Sequence, residues 1–132
     1  MNYLAIDYGT RKIGLAGNVG TIALPLSIIA TKDIFKSLPP IVGERKIDTI
    51  IIGIANHMDG RTSEQSERTR EFVKKLSSIL PKTMPIVEWD ERLTSFEAKN
   101  SLLQAGAKNR RETIDDMAAS ILLQSYLDSV KI

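Results

Sequence analysis

The fold of this chain is decided near its start, by the stretch DYGTRKIGLA at residues 7–16. It follows a short apolar segment, residues 3–6, that is typical of a buried strand. Gly9 permits a tight turn without a Cβ clash, so the chain is predicted to return as a second strand over residues 13–17. A carboxylate at the end of a buried strand is costly unless it is paired, hydrogen-bonded or bound to a metal. Asp7 is therefore a candidate metal ligand at the rim of a sheet, with a turn-forming aspartate as the alternative.

The composition bounds the class of protein. With 132 residues, of which 42% are hydrophobic and 26% charged, the chain is expected to form one globular domain over residues 1–132. No apolar run approaches the roughly 20 residues that span a bilayer. Asp7 also lies where the apolar core of a signal peptide would be expected. We therefore expect a cytoplasmic protein without a membrane partner.

Residue usage narrows the chemistry. The chain has no cysteine, which excludes disulfides, thiol nucleophiles and thiolate metal sites. Its single histidine, His57, excludes a His-rich zinc centre and is more simply a loop residue than a base. The net charge of +2 supports nucleic-acid binding only weakly, so local clusters of basic residues matter more. Catalysis is expected to depend on carboxylates, Lys, Arg, Ser, Thr or Tyr.

The apolar pattern predicts a mixed sheet with helices on both sides. A third strand over residues 21–30 completes an antiparallel meander, and Pro25 indicates an edge strand or a bulge. Residues 33–46 predict a helix with Thr31 as its cap, which the pair Pro39-Pro40 is expected to break or restart. Residues 49–54 predict a central strand covered on both faces. The remaining predicted elements are a helix over 62–80, a strand over 85–90, and helices over 94–106 and 113–130.

The helix over residues 62–80 is predicted to be amphipathic. Its apolar face is expected to contain Phe72, Val73, Leu76, Ile79 and Leu80. Trp89, in the strand that follows, is expected to belong to the core. The basic side chains on the outer face of this helix are balanced by glutamates, so a solvated surface explains them.

Carboxylates at the ends of predicted elements form the main chemical signal. They are Asp7, the pair Asp90 and Glu91, and the pair Asp115 and Asp116. Hard divalent cations such as Mg²⁺ prefer oxygen ligands, so two or three convergent carboxylates suffice to hold them. Two such ions about 4 Å apart can activate a water and stabilise the leaving oxygen in phosphodiester cleavage. That chemistry requires neither cysteine nor histidine.

Helical phase separates one of these pairs. The last predicted helix carries an apolar stripe made of Ala118, Ala119, Leu122 and Tyr126. At about 100° per residue, Asp115 falls in the middle of this stripe and Asp116 toward its edge. Asp116 is also placed to form a capping box with Thr113. Asp115 is therefore the better ligand candidate, and a first-turn acid favoured by the helix dipole is the alternative. Alternation along a strand does not separate Asp90 from Glu91 if both sheet faces are covered.

Basic residues lie close to these acids in the sequence. The loop before Asp115 contains three of them, which are either phosphate contacts or a solvated loop. The full set of candidate nucleic-acid contacts is Arg11, Lys12, Arg92, Lys108, Arg110 and Arg111.

Four segments together resemble the YqgF family, the bacterial Holliday-junction-resolvase-like proteins also described as pre-16S rRNA nucleases. They are AIDYGTRKIGLA at 5–16, MDG at 58–60, DERLT at 90–94, and IDDMAA at 114–119 followed by ILL at 121–123. The resemblance implies an α/β, RNase H-like fold: a five-stranded mixed sheet, with its first three strands antiparallel, flanked by helices. It also implies metal-dependent cleavage of nucleic acid, with Asp7, Glu91 and Asp115 as catalytic residues and metal ligands. The chain departs from the family at Ile54, where a proline usually follows the glycine of the central strand.

Three functions are compatible with these features. The first is a Mg²⁺- or Mn²⁺-dependent endonuclease for structured RNA that processes precursor 16S rRNA, with ribosomal precursor particles as partners. The second is a resolvase for DNA junctions, which requires a dimer with two active sites. The third is a non-catalytic nucleic-acid-binding module. Whether the protein is a monomer or a homodimer stays open.

Overall fold

In the computed structural model, the described residues, 1–54, 64–90 and 114–130, contain a five-stranded sheet. The strands are β1 (Tyr3–Asp7), β2 (Lys12–Val19), β3 (Ile22–Ala30), β4 (Thr49–Ile54) and β5 (Ile86–Asp90). Their spatial order is β3-β2-β1-β4-β5. The strands β1, β2 and β3 pair antiparallel, whereas β4 runs parallel to both β1 and β5. The predicted mixed sheet and its antiparallel meander are confirmed.

Helices cover both faces of this sheet. A turn of 3-10 helix (Thr31–Asp33) leads into α1 (Ile34–Glu44), and α2 (Glu64–Ile79) and α3 (Ile114–Val130) follow. No helix in these described ranges is both long and apolar enough to cross a bilayer. The loop predicted around His57, the predicted helix over 94–106 and the predicted basic loop before Asp115 lie outside the described residues.

Successive side chains of each strand point to opposite faces of the sheet, and each face packs into its own hydrophobic core. On the α1–α2 face, Leu4, Ile6 and Ile50 pack with buried residues of α1 and α2. On the α3 face, Ala5 and Ile51 pack with buried residues of α3. Because strand side chains alternate, this assignment fixes the face of every neighbouring residue in β1 and β4. Small residues on the α3 face allow α3 to approach the sheet closely.

The prediction that Pro39 and Pro40 interrupt the first helix is wrong, because α1 runs through both prolines. Ile34, Leu38 and Val42 are buried in the core and hold α1 against the sheet. Proline has no amide hydrogen, so the carbonyl groups one turn earlier lose their helical donors. Both prolines are exposed, on the solvent side of the helix, where water can supply the missing hydrogen bonds. Tertiary packing therefore overrides the local preference.

Two other sequence predictions can be compared directly with the structure. Pro25 lies in the edge strand β3, and the β2–β3 register shifts between Leu15 and Ala16, opposite this proline. Both the predicted edge and the predicted bulge are thus confirmed. Ile79, by contrast, is 41% exposed and does not belong to the buried face of α2. The helix ends at Ile79, and the next residue, Leu80, occupies the core instead.

Candidate active site

Asp7 ends β1 on the α3 face of the sheet and is half-buried. Its partner in the antiparallel register is Gly14 of β2. A Cβ atom placed on Gly14 would lie 3.9 Å from the Cβ atom of Asp7 and 3.7 Å from that of Ala119 in α3. The missing side chain of Gly14 therefore leaves space between the carboxylate and the helix above it.

A cleft of about 290 Å³ opens at this position. It is lined by Asp7, Gly9, Thr10, Arg11, Lys12, Gly14 and Ile28. Two exposed cationic side chains thus share one cleft with a half-buried carboxylate. A carboxylate can bind a divalent cation, and Arg and Lys can contact phosphate, so the lining suits a phosphodiester substrate.

The turn between β1 and β2 is held in place from two directions. A Cβ atom on Gly9 would collide with the carbonyl oxygen of Lys12, so the turn requires glycine at this position, as predicted. The hydroxyl of Thr31 donates a hydrogen bond to the carbonyl of Gly9 at 2.7 Å. Its amide donates another to the carbonyl of Arg11 at 3.0 Å. The predicted capping role of Thr31 is wrong, because its hydroxyl holds this turn instead.

The structure separates Asp90 from the cleft that contains Asp7. Glu88 of β5 forms an ion pair with Arg70 of α2 at 3.9 Å, on the α1–α2 face. Trp89 packs on the α3 face, and its Nε1 donates a hydrogen bond to Ser125 at 3.2 Å. Alternation along β5 therefore places Asp90 with Glu88, on the face opposite Asp7. The packing of Trp89 also confirms its prediction as a core residue.

The direction of α3 shows where its first turn lies. Ala119 lies above Gly14, near the carboxyl end of β1, whereas Tyr126 packs edge-on against Tyr3 at the other end, with ring centroids 5.5 Å apart. The helix thus runs antiparallel to β1, and its N-terminus extends toward the carboxyl edge of the sheet. Asp115 belongs to this first turn, four residues before Ala119.

Burial and the neighbouring Tyr3 raise the pKa of Tyr126 above its ordinary value.

Several predicted site residues lie outside the described part of the chain. These are Glu91, Arg92, Lys108, Arg110 and Arg111, together with the side chain of Asp115. His57, predicted to be a loop residue, also lies outside it. Within the described part, no group of three or more His, Cys, Asp or Glu side chains converges to hold a metal ion. Asp7 nevertheless fits a hard divalent cation, because it offers carboxylate oxygens beside space that Gly14 leaves open.

Among the described residues, sequence reasoning missed the part that Thr31 plays at this site. Its sequence position, 22 residues after Gly9, carried no signal of the contact. The contact arises only because β3 returns alongside β2 and ends next to the turn. Only the pairing register could have revealed it.

Comparison with known proteins identifies relatives along almost the whole chain. Residues 1–129 match the model of a family described as RuvX, Holliday junction resolvase. A protein of Sulfurihydrogenibium sp. (strain YO3AOP1) is 37% identical over 128 residues, covering 95% of this chain and 88% of that relative. A protein of Geobacillus thermodenitrificans (strain NG80-2) is 37% identical over 138 aligned positions, covering 98% and 99%. Both relatives carry the provisional name pre-16S rRNA nuclease.

Solved structures support the same fold at much lower identity. The RuvC structure of Thermus thermophilus superposes with a TM-score of 0.71 at 12% identity, covering 98% of this chain and 95% of that chain. T. thermophilus RuvC in complex with a Holliday junction substrate gives 0.69 at 11% identity, covering 98% and 94%. The sheet order, its helices and these likenesses define an RNase H-like fold. Together with the match over residues 1–129, they show that the chain belongs to the RuvX family, the one its motifs resemble under the name YqgF.

Proposed function

We propose that this protein is a metal-dependent endonuclease that hydrolyses phosphodiester bonds in precursor 16S rRNA. The observation that carries the proposal is the cleft in which Asp7 lies beside Arg11 and Lys12. A nuclease needs both a carboxylate for a divalent cation and cations for the phosphate backbone. The family match and the names of the curated relatives support nuclease chemistry and the RNA substrate.

Asp7, Glu91 and Asp115 are the proposed catalytic residues and the proposed ligands of Mg²⁺ or Mn²⁺. The described geometry supports the choice of Glu91 over Asp90, because alternation along β5 places Asp90 on the face opposite Asp7. The helical repeat likewise supports Asp115, which precedes Ala119 by about one turn. When bound, such ions supply activation of the attacking water and stabilisation of the charged leaving oxygen.

The basic residues are proposed to position the substrate. Arg11 and Lys12 would contact the phosphates that flank the scissile bond, since they line the cleft with Asp7. Similar contacts are proposed for Arg92, Lys108, Arg110 and Arg111. A single domain is proposed to carry the whole site, and ribosomal precursor particles in the cytoplasm are the proposed partners.

Replacing Asp7 with asparagine tests the proposal. This substitution keeps the size of the side chain but removes its negative charge. Cleavage of a precursor 16S rRNA fragment is therefore expected to fall by at least the roughly 10- to 100-fold that loss of an outer-shell partner of a metal costs. Cleavage is measured with Mg²⁺ and with Mn²⁺. The matched control is Asp33→Asn, an exposed acid that makes no helix-capping hydrogen bond and should leave cleavage unchanged. Undiminished cleavage by a folded Asp7→Asn protein would remove the proposal.

The family description makes a DNA junction the second candidate substrate. Resolution of a four-way junction requires paired cuts and hence two active sites in one dimer. Offering a junction and a precursor rRNA to the same preparation compares the two substrates directly. Sedimentation at the working concentration then gives the oligomeric state, and a monomer that cuts only the RNA would exclude the junction. Binding of either substrate without cleavage would favour the non-catalytic module.

A further inference from the structure

A second cleft opens on the α1–α2 face, on the other side of the β1–β2 turn from Asp7. Its volume is about 210 Å³, smaller than the pockets that hold drug-sized ligands. It is lined by Tyr8, Thr31, Phe35, Arg68, Glu71, Phe72 and Lys75. Apart from Thr31, which holds the turn beside Asp7, these residues have no part in the cleavage chemistry proposed above.

Aromatic rings form the apolar part of this cleft. Phe72 is only 4% exposed and is the buried centre of the group. The ring of Tyr8 lies 4.8 Å from it, and the ring of Phe35 lies 5.5 Å from it, both tilted rather than perpendicular. Tyr8 and Phe35 are half-buried, so part of each side chain remains accessible. The cleft therefore combines a closed apolar base with two partly accessible aromatic walls.

Charged residues of α2 form its polar rim. Arg68, Glu71 and Lys75 are exposed and are spaced three and four residues apart, which places them on one side of the helix. The two cations are separated by seven residues, or about 10 Å along the helix axis. The carboxylate between them disfavours a bare phosphate at the centre but can accept hydrogen bonds from amino groups.

The β1–β2 turn joins this cleft to the one that contains Asp7. Tyr8 directly follows Asp7 and packs on the opposite face. Thr31 lines the second cleft while it binds the carbonyls of Gly9 and Arg11, which line the first. A nucleic-acid strand that crosses the carboxyl edge of the sheet would therefore reach both clefts.

We propose that the second cleft binds one unpaired nucleotide of the nucleic-acid substrate. Its base packs against Tyr8 and Phe35, and the phosphates on its two sides lie at the rim, one beside Lys75 and the other beside Arg68. Single-stranded nucleic acid is generally held in this way, by aromatic rings combined with cationic side chains. Glu71 can accept a hydrogen bond from an exocyclic amino group, so cytosine should bind better than uracil, which lacks one. The inference rests on the proposed function for its choice of ligand.

Binding without cleavage tests this inference. Fluorescence anisotropy measures the affinity of the full-length protein for labelled oligocytidine and oligouridine in EDTA, so the result does not depend on nuclease activity. Phe35→Leu is expected to weaken oligocytidine binding about 5- to 150-fold. Lys75→Ala should weaken it as well, whereas Lys74→Ala, the same charge change on the neighbouring exposed lysine outside the cleft, should not. Glu71→Ala should remove the preference for oligocytidine.

The lysine variants and a competition experiment distinguish a nucleotide site from misfolding and from non-specific charge effects. Lys75 is exposed, so its variant reports on the site even if Phe35→Leu fails to fold. Equal losses in Lys74→Ala and Lys75→Ala, or no loss in Lys75→Ala, would overturn the inference. Competition by cytidine monophosphate but not by inorganic phosphate supports a nucleotide site, whereas equal competition would show a bare anion site and overturn it. If wild-type protein binds as expected but cuts no substrate, only the proposed function fails.

Discussion

Gly14 keeps the cleft open beside Asp7, because any larger side chain would enter the space between β2 and α3. The Cβ atoms of Ala119 and Asp7 would lie at ordinary van der Waals distances from a methyl group added at Gly14. Gly14→Ala should therefore fold with an unfolding free energy within about 1 kcal/mol of the wild type. Gly14→Leu should overpack this space, lower the unfolding free energy by about 1–3 kcal/mol, and reduce cleavage at least tenfold.

Thermal unfolding and cleavage, measured on the same preparations, separate these two effects. Cleavage is assayed well below the unfolding midpoint, so that loss of activity reflects the filled cleft. Gly43→Leu serves as the control, because Gly43 is exposed in α1 and an added Cβ atom would meet nothing within 4 Å. Full activity in Gly14→Leu would show that the space beside Asp7 is not used.

Among the elements, α3 depends on one buried amide to hold the β2–β3 hairpin. Gln124 is 2% exposed, and its side chain accepts a hydrogen bond from the amide of Ala23 and donates one to the carbonyl of Thr21, both at 2.9 Å. Gln124→Ala would remove the partners of both backbone groups, so the unfolding free energy should fall by about 1–3 kcal/mol. Urea denaturation measures this loss.

One turn earlier on the same helix, Ser120 provides a matched comparison. Its hydroxyl is buried and has no hydrogen-bond partner among the described residues. Burial of a polar group without a partner is unfavourable, so Ser120→Ala should leave the unfolding free energy unchanged or raise it by about 1 kcal/mol. A loss as large as that in Gln124→Ala would mean that the hydroxyl is paired in solution.

The elements also show which features the sequence could predict. The strand β4 was predictable because its continuous apolar run is a local signal, and the hairpin of β1 and β2 was predictable because Gly9 permits the turn between them. Continuation of α1 through Pro39 and Pro40 was not, since it depends on the burial of Leu38 and Val42 against the sheet. Local propensity is a weak guide wherever such packing dominates.

In the candidate site, too, features with a local sequence signal were predictable, and features that depend on long-range packing were not. The position of Asp7 at the end of β1 was predictable from the apolar run before it, and its role as a metal ligand stays a prediction. Asp90 could not be separated from Glu91, because the face of β5 depends on the pairing of Glu88 with Arg70 and the packing of Trp89. Contacts between distant parts of the chain decide this face, and a single sequence carries no signal of them.

At the scale of the whole sheet, the groups found at its two ends differ. At the amino end of β1, Asn18 accepts a hydrogen bond from the amide of Tyr3 at 2.8 Å and donates to the carbonyls of Met1 and Gly20. The amide of Tyr3 and the carbonyls of Met1 and Gly20 are thus paired with the side chain of Asn18. At the carboxyl end, the Asp7 cleft holds a half-buried carboxylate beside the exposed side chains of Arg11 and Lys12.

This difference predicts how binding should respond to salt. Each phosphate contact contributes about 0.7–0.9 to the slope of log affinity against log salt concentration. Arg11→Ala and Lys12→Ala should each make that slope shallower by about this amount, because both side chains line the cleft. Arg45→Ala removes the same charge from an exposed residue at the opposite end, near Asn18, and should leave the slope unchanged.

Titrations of labelled precursor RNA from low to moderate salt, in EDTA, measure these slopes. The control is matched in charge, because any one of the three variants reduces the net charge of +2, from 18 basic and 16 acidic residues, to +1. The turn should survive Arg11→Ala, since Thr31 binds the backbone carbonyl of Arg11 rather than its side chain. Equal changes of slope in all three variants would mean that binding follows the net charge of the molecule and not the cleft beside Asp7.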